Sequence, residues 1–348
     1  GPPPPAMEAI RDGFAGASRY PSNTQPNMSD LTAALAERFG CETSNIVLGA
    51  GSGELLKRVA QAYASPERHL VTASPTYLQT SGVARYLRAE VKAISLTDDG
   101  KLDLDAMADA SRGAGLVFFC NPNNPTGSVY SQEILLELID LARRNKLIIF
   151  ADEIYSKIIY DDAEFIPIAS LSEDIFTVSF NGLSKSYRLA GFRSGWMILS
   201  GPKHLAKSYI EGLEILTNMR LCANVPAQYA VQTALGGYQS INELILPGGR
   251  LKQQRDATWE LLKQIPGVSC VKPMGAIYLF PRLDPAVYKI ENDVSLILDI
   301  LEQEKILLVQ GSAFNIQDNN HFRIVFLPRE DELQKAIHQI TNVLEQYR

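Results

Sequence analysis

The stretch Ser179–Trp196, SFNGLSKSYRLAGFRSGW, decides how the chain is read. An apolar run from Ile175 to Phe180 breaks into a glycine-containing loop that carries Ser184 and Lys185, and Arg193 stands just ahead of a second apolar run, Trp196 to Leu199. Short apolar runs bounded by turn residues predict buried strands. The loop therefore sets an amine, a hydroxyl and a guanidinium at the mouth of a sheet. A lysine in a partly desolvated pocket loses its proton readily and acts as an amine towards an aldehyde. An arginine beside it offers planar donors to a phosphate. The two roles together describe a site for an aldehyde cofactor that carries a phosphate. The same spacing alone also suits a surface lysine and an ion-paired arginine, so the decision rests on what the rest of the chain supplies.

Upstream, the run Leu147 to Ala151 leads into DEIY, which puts Asp152 and Tyr155 at the C-terminal end of a predicted strand, where ligands of open α/β sheets collect. A carboxylate in a dry setting needs a cation, and a protonated pyridine nitrogen is one; capping of the next turn is the other role open to Asp152. The run Gly115 to Cys120 leads into NPNNPTG, Asn121–Gly127, whose two Asn-Pro steps and terminal glycine fix a turn with the Asn124 amide at the strand end. His69 to Ala73 leads into SPTY, so Tyr77 either stacks on a flat ligand or packs into the core. Asn45 to Leu48 leads into GAGSGE, Gly49–Glu54, ahead of a helical repeat at Leu55, Leu56, Val59, Ala60 and Tyr63. Glycines there admit an anion to free N–H groups at a helix N-terminus. The turn departs from the dinucleotide pattern G-x-G-x-x-G, since no long strand precedes it. Downstream, HFRIVF sets Arg323 on a strand between apolar neighbours, and an inward arginine needs an anion.

Composition bounds the rest. The chain has 348 residues, 46% of them hydrophobic, and a net charge of −6, which argues against a nucleic-acid surface. No window reaches the roughly 18 apolar residues of a spanning helix and no secretory leader opens the chain, so a cytoplasmic protein is expected. The cysteines Cys41, Cys120, Cys222 and Cys270 are widely spaced and the histidines scattered, so no disulfide framework and no metal site is expected. The stretch Ile210 to Tyr238 reads as helical, and LPGGR, Leu246–Arg250, marks a boundary. The expected division is a large unit over residues 40–245 and a small one formed by residues 1–39 and 246–348.

The order GAGSGE, PTY, NPNNPTG, DEIY and LSKSYRLAGFR resembles that of fold-type I aminotransferases, which depend on pyridoxal 5'-phosphate. The resemblance implies an α/β fold in which a large domain has a mostly parallel central sheet flanked by helices and a smaller α/β domain follows. Carried over residue by residue, it implies that Lys185 is the Schiff-base lysine and the proton-transfer base. Asp152 pairs with the pyridine nitrogen, Tyr155 and Asn124 bond the phenolic oxygen, and Tyr77 stacks on the ring. Ser52, Gly53 and Glu54 offer backbone N–H groups to the phosphate, with Ser184 and Arg193. Tyr20, in RYP at residues 19–21, reaches the phosphate of a neighbouring subunit, so a homodimer with a shared site is implied. Arg323 clamps the substrate α-carboxylate, with Asn124 beside it.

Residues 1 to about 110 are most similar to histidinol-phosphate aminotransferases, through GPPP, RYP, GAGSGE and SPTY. From about residue 116 onward the chain is more densely similar to bacterial glutamate–pyruvate (alanine) aminotransferases, as in FADEIYSKIIYDD, MRLCANVPAQYAVQTALGGYQS and PGVSCVKPMGAIYLFP. A natural mosaic and an engineered hybrid both give this pattern. Transamination of an L-amino acid, alanine first, with 2-oxoglutarate or pyruvate is expected, with histidinol phosphate as the alternative substrate. A lyase or decarboxylase on the same fold remains the alternative chemistry.

Overall fold

The computed structural model describes residues 2–18, 20 and 26–348, with side chains from residue 31 onward in the last span. Its frame is a seven-stranded sheet in the order β1-β7-β6-β5-β4-β2-β3. The strands are β1 (Ile46–Gly49), β2 (Leu70–Ser74), β3 (Val91–Ser95), β4 (Leu116–Cys120), β5 (Ile148–Asp152), β6 (Thr177–Gly182) and β7 (Gly195–Ser200). Strands β2 to β6 pair in parallel, and β7 lies antiparallel between β6 and β1. Strands of this sheet run past the apolar runs of the sequence, β2 to Ser74, β5 to Asp152, β6 to Gly182 and β7 to Ser200.

Both faces of a parallel sheet need cover, which is why its strands are continuously apolar. In β4, Leu116 and Phe118 join one core with Leu55, Leu56 and Val59 of helix α3 (Ser52–Tyr63) and with Tyr209 and Leu213. Val117 and Phe119 join the opposite core with Leu135, Leu138, Ile139 and Ala142 of the helix Gln132–Asn145. A third core, built from Leu262, Leu279, Ile300, Phe322, Ile324 and Ile337, fills the C-terminal part and takes in Tyr155 and Ile158. There the strands Tyr278–Leu279, Phe322–Val325 and Val309–Gln310 form a small antiparallel sheet.

One local expectation is corrected. The stretch expected to be helical from Ile210 to Tyr238 is two helices, Lys207–Asn218 and Val225–Gly236, parted where Leu221 takes a φ of 72°. A left-handed residue cannot continue a right-handed helix. Helices α1 (Pro4–Gly13) and α2 (Pro26–Phe39) pack against the helix Val225–Gly236. Ala6, Leu31 and Leu35 share a core there with Trp196 and Ile198 of β7. No helix among the described residues is long and apolar enough to cross a membrane.

Candidate active site

The pairing of the strands brings distant sequence to one sheet edge. Because β7 runs against β6 and β1 runs against β7, the C-terminal ends of β1, β2, β4, β5 and β6 lie beside the N-terminal end of β7. Gly49 pairs with Gly195, Gly195 with Gly182, and Asp152 with both Cys120 and Phe180. The loops leaving these positions enclose a cavity of about 770 Å³ that Ser52, Gly53, Glu54, Tyr77, Asn124, Asp152, Tyr155, Ser184, Lys185, Arg193 and Arg323 all line.

At one end of the cavity Gly51 caps α3 with φ 84°, and a Cβ on it would stand 2.4 Å from Arg193 Nη2. A Cβ on Gly195 would stand 2.4 Å from the Ser52 nitrogen. These two glycines let the first turn of α3, with its free N–H groups, close against the guanidinium. Arg193, itself left-handed at φ 50°, donates from Nη1 to the Ala190 carbonyl at 2.8 Å and to Ser184 Oγ at 3.4 Å. Glu54 departs from its expected role. Its N–H donates to the Gly51 carbonyl at 3.2 Å, which spends the donor inside the turn. Its carboxylate accepts from Arg220 Nε at 2.6 and 2.7 Å and from the Ala50 N–H at 2.8 Å. Arg220 also donates from Nη2 to the Leu48 carbonyl at 2.6 Å, so the pair ties the end of β1 to the start of α3.

In the middle of the cavity Asp152 is 3% exposed, and burial pushes its carboxyl up to about 7 against the opposing pull of the Ile154 N–H and of Lys185. Its Oδ1 accepts the Ile154 N–H at 3.2 Å. Half-buried Lys185 has its Nζ 5.7 Å from the centre of the Tyr155 ring. Burial holds the Tyr155 phenol far above its usual range, and its hydroxyl lies 2.7 Å from that of Tyr278. Tyr77, raised by burial, donates to Gln79 Oε1 at 3.0 Å.

At the far wall Arg323 lies between two rings, 4.3 Å from the centre of Tyr278 and 5.0 Å from that of Phe314. Its Nη1 donates to Asn124 Oδ1 at 2.9 Å, and its buried Nε has no partner. Tyr20 is 71% exposed and stands outside this cavity; Arg19 and Pro21 of its motif lie outside the described residues.

These observations test the fit of pyridoxal 5'-phosphate. Among the described residues the ion pairs within the cavity are those of Glu54 with Arg220 and Arg58, and Arg193, Lys185 and Arg323 enter none. A cation beside a helix N-terminus suits a phosphate, a buried carboxyl without an ion-pair partner suits a pyridinium, and an orphaned guanidinium edge suits a carboxylate. The residues present fit the group.

Sequence reasoning missed Gln79, Arg220, Tyr278 and Phe314. Gln79 was within reach of it, two residues past Tyr77 at the start of the helix Gln79–Tyr86. Nothing local marks the other three, which act through contacts from distant segments.

Comparison with known proteins gives the family of the chain. The family model described as aminotransferase class I and II matches residues 1–340. The glutamate-pyruvate aminotransferase AlaA of Escherichia coli K12 is 52% identical over 87% of this chain and 76% of its own length. The alanine aminotransferase of Mycobacterium bovis is 49% identical over 88% of this chain and 72% of its own. Among solved structures, an aminotransferase from Escherichia coli superposes with a TM-score of 0.95 at 44% identity, covering 100% of this chain and 88% of that one. The alanine aminotransferase of Pyrococcus furiosus superposes with a TM-score of 0.91 at 28% identity, covering 99% and 88%.

Proposed function

The chain belongs to the class I and II aminotransferases, and we propose that it moves an amino group between alanine and 2-oxoglutarate, giving pyruvate and glutamate. Pyridoxal 5'-phosphate, on which this family depends, supplies an aldehyde that takes up the amino group and a ring that draws electrons from the substrate Cα. The chain supplies the rest. Arg193, Ser184 and the N–H groups of Ser52 and Gly53 would hold the phosphate, while Glu54 keeps their turn in place through Arg220. Asp152 would face the pyridine nitrogen, Tyr77 the flat of the ring, and Asn124 and Tyr155 the phenolic oxygen.

Arg323 binds the substrate carboxylate through its guanidinium, whose plane Asn124 fixes. Lys185, unpaired and half-buried, is the amine that holds the cofactor and then carries the proton at the substrate Cα. Its burial beside Tyr155 keeps water from competing for that proton. One observation carries the reading: Arg323, a guanidinium outside any ion pair whose Nε has no hydrogen-bond partner, lines the same cavity as Lys185 and Asp152. The exposure of Tyr20 away from its own cavity supports a homodimer in which Tyr20 completes the site of the second copy.

The test is a donor panel on the purified holoenzyme with 2-oxoglutarate as acceptor. Alanine is expected to give the highest kcat/KM, and a higher value for histidinol phosphate overturns the assignment. Release of ammonia or CO2 in place of glutamate would point to a lyase or decarboxylase. Lys185→Ala is expected to abolish turnover together with the covalent visible chromophore, and an alanine variant with normal turnover overturns the reading.

A further inference from the structure

The cavity holds one aromatic residue that touches both halves of the proposed chemistry and that no part of the sequence reading used. Tyr278 sits in the strand Tyr278–Leu279, 5% exposed. Its hydroxyl is 2.7 Å from the hydroxyl of Tyr155, and the two rings meet edge to face at 5.7 Å and 80°. The flat of the same ring lies under Arg323, whose guanidinium carbon is 4.3 Å from the ring centre. Pairing of Tyr278 with Val325 fixes this stack, because it places the ring on the strand beside that of Arg323.

We propose that Tyr278 is a positioning residue that serves both ligands: its hydroxyl donates to the Tyr155 oxygen, and its ring holds the guanidinium of Arg323 flat for a carboxylate. The proposal rests on the reading of Tyr155 and Arg323 given above. Each phenol has one proton, and either of the two can be the donor in the pair. Once the Tyr155 proton is given to the cofactor's phenolic oxygen, only the Tyr278 proton is left to bridge the pair. A donor that itself accepts a hydrogen bond is a better donor, because the bonds polarise one another. Tyr278 thus strengthens the bond that Tyr155 makes to an anionic oxygen. Through its face it also restrains an arginine whose Nε has no other partner, and a desolvated cation–π contact is worth more than an exposed one.

Two variants separate the roles. Tyr278→Phe removes the hydroxyl and keeps the ring, and Tyr278→Leu removes both. In the holoenzyme, Tyr278→Phe is expected to raise the pH midpoint of the visible absorption by about half a unit, the scale of one neutral hydrogen bond, with KM for alanine nearly unchanged. Tyr278→Leu is expected to show the same shift and, in addition, a KM raised about tenfold for alanine and for 2-oxoglutarate. An unmoved midpoint in Tyr278→Phe overturns the hydroxyl role, and an unchanged KM in Tyr278→Leu overturns the ring role. The parent protein is the control for the underlying reading. If the parent lacks a visible band lost in Lys185→Ala, that reading fails; if the band is present and the variants behave as the parent, only the role of Tyr278 fails.

Discussion

Arg323 and Asn124 are 199 residues apart in sequence, yet Nη1 of the first donates to Oδ1 of the second at 2.9 Å, across the gap between the small C-terminal sheet and the edge of the large one. One terminal nitrogen is thereby fixed, while the buried Nε has no hydrogen-bond partner. Arg323→Lys keeps the charge and loses the fork. It is expected to lower kcat/KM for alanine about 10²-fold, mainly through KM, since each bond from a charged donor contributes about 1.5–3 kcal/mol. The visible spectrum of the holoenzyme should stay as it is. Steady-state kinetics check this, and a lysine variant within about threefold of the parent refutes the clamp.

Asp152 is buried where its ionised form lacks an ion-pair partner, so its negative charge is available to a pyridinium. Asp152→Asn keeps the shape and removes the charge. Turnover with alanine should fall by about 10²–10³-fold, as for loss of a preorganised electrostatic contact. A variant that transaminates within about tenfold of the parent contradicts the assignment.

The Glu54–Arg220 pair predicts an effect on affinity without contact of Arg220 with the cofactor. Arg220→Ala frees the turn from the Leu48 carbonyl and leaves the Glu54 carboxylate, beside the phosphate subsite, with only the more distant Arg58 as an ion-pair partner. The Kd of the apoprotein for pyridoxal 5'-phosphate should rise at least about tenfold, since removing one member of a partly buried pair strands the other. Arg220→Lys should fall between. Titration of the apoprotein followed by absorbance decides, and an unchanged Kd for the alanine variant counts against the tie.

Glu153, the residue after the end of β5 and 6% exposed, accepts the Ile168 N–H at 3.1 Å. Burial pushes its carboxyl up to about 8, with the Asp152 charge adding to the rise. An acid whose pKa is higher in the native than in the unfolded state holds more protons when folded. Stability therefore falls as pH rises between the unfolded value, about 4.3, and the native one. Glu153→Gln retains an acceptor for Ile168 and cannot ionise. Its melting temperature relative to the parent should rise from pH 5 to pH 8, and a difference that stays constant over that range rules out the buried acid as the source.

The sequence by itself determined the parts of the site and the order in which they occur. Lys185, Asp152, Asn124 and Arg193 each follow or precede an apolar run, and a buried strand that ends in a polar residue places that residue at a sheet edge whatever the sheet's order is. The left-handed break at Leu221 escaped it, because no glycine or proline marks that turn in MRLCAN. Only the tertiary structure decided which parts meet. The antiparallel insertion of β7 between β1 and β6 is what carries Arg193 to Gly51. The small sheet is what carries Tyr278 and Arg323 to Tyr155 and Asn124. Those contacts join residues more than a hundred positions apart, and their geometry is set by strand register and core packing, which no local pattern of residues encodes.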